Sequence, residues 1–71
     1  MKGVLIMFTV TIYNEDVGDY EAVYRAFSME AVDTTMTALS EKFPNASFDI
    51  WDDGDNLPKI EDAKWWLSQI A

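Results

Sequence analysis

Asp49, Asp52, Asp53, Asp55 and Asn56 crowd around Gly54, and of all the side chains in the chain theirs most suggest chemistry. Closely spaced Asp and Asn oxygens are the ligands that hard cations take, and a glycine permits the sharp turn such a loop needs. With Gly54 as the turn glycine, Asp49 and Asp53 match ligand positions of a calcium loop. Trp51 falls on another ligand position, however, and Ile60 stands where a bidentate glutamate belongs. An acidic turn built on Asp53 and Gly54 is the stronger reading, and no metal or other cofactor is expected.

Catalysis finds little to work with. The 71 residues include no histidine and no cysteine. That removes the commonest general base, the usual zinc ligands and the most reactive nucleophile. Hydroxyls, three tyrosines, four lysines and 13 carboxylates remain. Two carboxylates can run acid–base hydrolysis, but 13 of them on so short a chain form pairs by chance, and the domain has little room for a cleft. The three glycines are widely separated, so no phosphate-cradling loop exists. A single arginine, Arg25, and no basic patch argue against direct binding to nucleic acid. The expectation is a protein that is not an enzyme.

Where the acids lie is more informative. Thirteen acidic residues against five basic ones give a formal net charge of -8. Such a field repels nucleic acids and anionic membranes and attracts basic protein surfaces. Glu15, Asp16, Asp19 and Glu21 form one block; Asp49, Asp52, Asp53, Asp55, Glu61 and Asp62 form a second. Carboxylates at that density suit the basic groove of a nucleic-acid-binding protein, where they stand in for phosphates. They also keep an aromatic-rich domain soluble. Trp51 and Trp65 fall on faces opposite the apolar stripes of their elements, and tryptophan is enriched in binding hot spots. Tyr13, Tyr20 and Tyr24 extend the same expected surface.

The elements that must carry these groups follow from hydrophobic period. Residues 4–13 alternate as a strand with both faces apolar at the start, which places it centrally in a sheet. Residues 14–19 read as a turn, with Gly18 free to take positive φ. Residues 20–27 read as a hairpin partner, with Tyr20, Ala22, Tyr24 and Ala26 on one face and Glu21, Val23, Arg25 and Phe27 on the other. A helix capped by Asp19 is the alternative there. Ser28 is a good helix N-cap, and Met29, Val32, Met36, Leu39 and Phe43 form one stripe that ends before Pro44. Residues 46–51 alternate as a third strand, residues 52–56 turn, and Pro58 suits the first turn of a final helix. That helix groups Ile60, Ala63, Trp66, Leu67 and Ile70 and leaves Trp65 opposite them. The expected fold is a single α+β domain, β-β-α-β-α, over residues 1–71. Its two helices cover one face of a three-stranded sheet of order 2-1-3, because a right-handed crossover brings the third strand beside the first.

A chain of this length buries roughly 60% of its unfolded surface, so its core is thin. Disulfides are excluded, and oligomerisation is one way such domains gain stability. Lack of cysteine fits a reducing cytoplasm. The lysine and apolar run over residues 1–8 are too short for a membrane span and lack a cleavage site, so no leader is expected. In size, acidity, lack of cysteine and α+β character the chain resembles small phage-encoded inhibitors of the anti-CRISPR and DNA-mimic type. That resemblance implies a host-cytoplasm protein that occludes a basic nucleic-acid-binding protein or ribonucleoprotein complex. The competing expectation is a small structural or adaptor subunit, a homodimer closed by Trp65, Trp51 or the edge strand over residues 20–27. A calcium-binding module stands third.

Overall fold

The computed structural model describes residues 6–71. Strand β1 (Phe8–Asn14) lies between β2 (Asp19–Ala26) and β3 (Phe48–Trp51), giving the order β2-β1-β3 with both pairings antiparallel. Helix α1 (Met29–Lys42) connects β2 to β3, and a short helix α2 (Ala63–Ser68) ends the domain. The fold is α+β, as the sequence predicts. Residues 20–26 are strand rather than helix, since β1 offers an unpaired edge to a hairpin partner.

Strand β1 starts later than its sequence pattern suggests. Val4 and Leu5 lie outside the described residues, and Ile6 and Met7 are not paired. The partners explain this: β2 ends at Ala26 opposite Phe8, and β3 ends at Trp51 opposite Thr9. No neighbouring strand remains beside Ile6 and Met7. Gly18 closes the hairpin with φ +71, and its N–H donates to the Asn14 carbonyl at 2.8 Å. An L side chain is disfavoured at that φ.

The core sits between the sheet and α1. Val10, Ile12, Val23, Val32 and Leu39 form it, with Met36, Phe43, Phe48, Ile50, Trp66 and Leu67 packed around them. Ser28 caps α1 as expected, its Oγ accepting from the Ala31 N–H at 3.2 Å. Ser28→Ala should lower stability by about 1 kcal/mol, seen as a fall of roughly 4–8 °C in the thermal midpoint. Met29, the first residue of the apolar stripe, is exposed.

A β-bulge changes which residues of β2 share a face. Thr11 pairs with Ala22 but Val10 pairs with Tyr24, so Val23 is an extra residue. The bulge brings Val23 and Tyr24 together onto the helix side and turns Arg25 to the side of Thr9. Strict alternation had placed Tyr24 with Tyr20, and that grouping is wrong.

The final helix is also shorter than expected. Pro58 does not open it. Leu57 is extended at φ -72, ψ 140, the region a following proline imposes. The chain then runs along the outer edge of β2: Ala22 N–H donates to the Pro58 carbonyl and Ile60 N–H donates to the Ala22 carbonyl, both at 2.8 Å. Unpaired edge groups of β2 thus take the backbone that would otherwise have formed the first helical turn. Ile60 precedes the helix instead of belonging to it.

Candidate functional site

The two faces of the sheet differ. Phe8, Val10, Ile12, Tyr24, Phe48 and Ile50 point toward the helices. Thr9, Thr11, Tyr13, Tyr20, Ala22, Arg25, Asp49 and Trp51 share the other face by register. At the Thr9 end, that second face is crossed by a strap, residues 52–60, which includes a 3-10 turn at Gly54–Asn56. Gly54 is buried tightly there: a Cβ on it would stand 3.0 Å from Thr9 Cβ and 3.1 Å from Trp51 Cβ. Only a residue without a side chain lets the strap lie so close to the sheet.

Arg25 fastens the strap. Its guanidinium Nη2 donates to the Gly54 carbonyl at 3.0 Å and to the Leu57 carbonyl at 2.6 Å. Sequence reading gave the one arginine no role. Its spacing from residues 54 and 57 carries no local signal, and only the bulge aims it at them.

Beyond the strap the face is aromatic. Tyr13 and Tyr20 meet edge-on with centroids 5.1 Å apart, and Tyr20 and Trp51 meet at 5.3 Å. Each ring comes from a different strand, so together they form a band across the sheet. Thr11, in the middle strand, is fully buried. Trp51 is half-buried and Tyr13 exposed.

Acids stand beyond both ends of the sheet but not all on this face, since Asp19 and Glu21, paired with Asn14 and Ile12, fall on the helix side by register. Glu15 and Asp16 are exposed in the hairpin turn and Asp19 is exposed at the start of β2. Asn14 organises that end: its Oδ1 accepts from Asp16 N–H at 3.0 Å, and its Nδ2 donates to Glu21 Oε1 at 2.6 Å. Glu21 is half-buried and engaged in this contact. Asp52 and Asp53 follow β3 at the other end, while Asp49 stands beside the band, opposite Thr11; all three are exposed. The side chain of Asp55 lies outside the described residues. From Thr9, opposite Trp51, to Asn14, opposite Asp19, β1 advances about 17 Å at 3.4 Å per residue. The hairpin acids are therefore separated from Asp52 and Asp53 by the aromatic band, and Asp49 lies along it.

Three more of the expected site residues lie elsewhere. Glu61 and Asp62 precede α2, which packs on the helix side of the sheet. Trp65 is 52% exposed on α2, with its ring 5.8 Å from Phe43 and 5.3 Å from Trp66. Trp51 and Trp65 thus serve two different surfaces. Among the described residues, no three acidic side chains come together in a way that could hold a metal ion. No helix among them is long and apolar enough to cross a membrane. No protein-family model, curated protein or solved structure matches the chain.

Proposed function

We propose that this chain is a non-catalytic binding protein. Its acid-flanked sheet face docks on the basic nucleic-acid-binding surface of a partner protein or ribonucleoprotein complex and blocks it. One observation supports this above the others: the exposed turn acids Glu15 and Asp16 lie beyond one end of an open aromatic face, Asp52 and Asp53 lie beyond the other, and Asp49 stands along it. The mechanism is steric and electrostatic occlusion. In this reading the protein acts in the cytoplasm, in the manner of a phage-encoded anti-CRISPR or DNA-mimic inhibitor.

The reading predicts fast association that weakens steeply with salt. Capture from nuclease-treated lysate at low and high salt supplies the partner. The purified partner should then lose nucleic-acid binding as this protein is added. Changing Asp52, Asp53 and Asp55 together to Asn should slow association by roughly tenfold or more. An unchanged on-rate would remove that block from the interface.

The cluster of exposed Trp65 with half-buried Phe43 and Trp66 favours a second reading, a self-associating adaptor subunit. It adjoins a groove of about 410 Å³ lined by Lys42, Phe43, Pro44, Asn45, Ala46 and Trp66. The β2 edge, one of the expected routes to a dimer, is occupied at Ala22 by the strap. The β3 edge is blunted too, because Asp49 Oδ1 accepts the Ile50 N–H at 2.8 Å. With both sheet edges obstructed, a dimer of this kind uses a tryptophan surface, and if it is that of Trp65, Trp65→Ala should sediment as a monomer at every concentration.

A further inference from the structure

The aromatic band specifies more about the partner than charge alone. One ring from each strand, Tyr13, Tyr20 and Trp51, is presented on a single face with centroids 5.1 and 5.3 Å apart. Burying three aromatic residues on the helix side would have stabilised the domain; here they lie outside it on a chain of net charge -8. Asp49 stands two residues before Trp51 on the same strand and the same face. One of its oxygens accepts the Ile50 N–H. An ionised carboxylate has capacity for further donors, so Asp49 can still take a ligand.

We infer that this band is a binding site for arginine side chains of the partner, with the guanidinium stacked on the Trp51 ring and donating to the Asp49 carboxylate. The inference rests on the basic partner proposed above and narrows its chemistry. A cation over the face of tryptophan is attracted by the ring quadrupole. A guanidinium is flat, weakly hydrated and forked, so it stacks on a ring and bonds a carboxylate at once. A lysine ammonium is a strongly hydrated point charge and stacks poorly. The rings would also stack on a nucleobase, but the acids at both ends repel the phosphates attached to it. A second copy of the chain would set one field of charge -8 against another.

The test titrates the full chain, labelled with nitrogen-15, with two peptides of equal length and charge. One carries arginines and the other lysines at the same positions. The arginine peptide should bind roughly tenfold more tightly. It should shift the indole N–H of Trp51 and leave that of Trp65 in place. Asp49→Asn, which keeps the shape of the side chain, should reduce the preference for arginine. Tyr13→Leu should do the same at the exposed end of the band, away from the strap. Equal affinity for both peptides, with shifts confined to the acidic loops, overturns the arginine site and leaves the basic partner standing. No binding of either peptide at low salt overturns both. A shift of the Trp51 indole by single-stranded oligothymidine assigns the band to bases and likewise overturns the inference.

Discussion

Leu39→Ala should lower the stability of this domain by about 3 kcal/mol and its thermal midpoint by roughly 12–24 °C. Leu39 lies on the face of α1 turned to the sheet and is completely buried. Among the described residues it belongs to a small buried cluster, with Val10, Ile12, Val23 and Val32 as its companions. Truncation loses the transfer energy of the removed carbons and leaves a cavity. Collapse to fill it is opposed, because the strands beneath are fixed on both sides by β1 pairing. No disulfide exists to hold the chain together when the core is weakened. Small domains hold only a few kcal/mol in reserve, so the variant should be partly unfolded at 37 °C. Circular dichroism during heating checks this, with Val17→Ala in the exposed hairpin as control. A midpoint within about 5 °C of the parent's would show that α1 is not what closes the core.

The same residues show why the fold was legible and the site only partly so. The 3-4-3-4 spacing of Met29, Val32, Met36, Leu39 and Phe43 is a local signal, and Ser28 before it is another. Pattern and cap agree, so α1 needed no knowledge of the rest of the chain. The apolar character of β1 on both faces also read correctly, since α1 covers one side and the aromatic band and strap lie on the other. What failed was decided at a distance. The bulge at Val23 depends on how β2 registers on β1, and it alone sends Tyr24 to the core and Arg25 to the strap. Pro58 carries a genuine helix-start signal, but the open edge of β2 competed for the same backbone and won. For the acids, sequence gave the two blocks and not their arrangement. Glu61 and Asp62 are near Asp55 in the chain, yet α2 takes them to the helix side. Trp51 and Trp65 were indistinguishable as anchors until the sheet separated them.

Arg25→Ala should release the strap while leaving the sheet and α1 folded. Two carbonyls, of Gly54 and Leu57, lose their donor, and both were held by the same guanidinium nitrogen. Hydrogen bonds from a charged donor contribute about 1.5–3 kcal/mol each; for this part-buried pair we expect a loss of about 2–3 kcal/mol in strap closure. Amide exchange reads that loss directly. The Ala22 and Ile60 N–H groups, which join the strap to β2, should exchange roughly 30-fold faster or more. The Val32 and Phe43 N–H groups of α1 should keep their rates. Arg25→Lys retains the charge on a shorter side chain, whose ammonium must still reach both carbonyls, and should recover only part of the protection. Gly54→Ala attacks the same closure from the other side, since its Cβ would press on the Cβ atoms of Thr9 and Trp51, neither of which can swing away. If Arg25 and Gly54 hold one strap, the double variant should cost clearly less than the two single costs added, because a strap already lifted has nothing left to clash with. Additive costs, or faster exchange throughout the chain, would mean that the strap and sheet open together. The strap also carries Asp52 and Asp53 beside the aromatic band, so Arg25→Ala should weaken partner binding without touching the interface. The single arginine of an acidic chain would then act by fixing where two of its carboxylates stand.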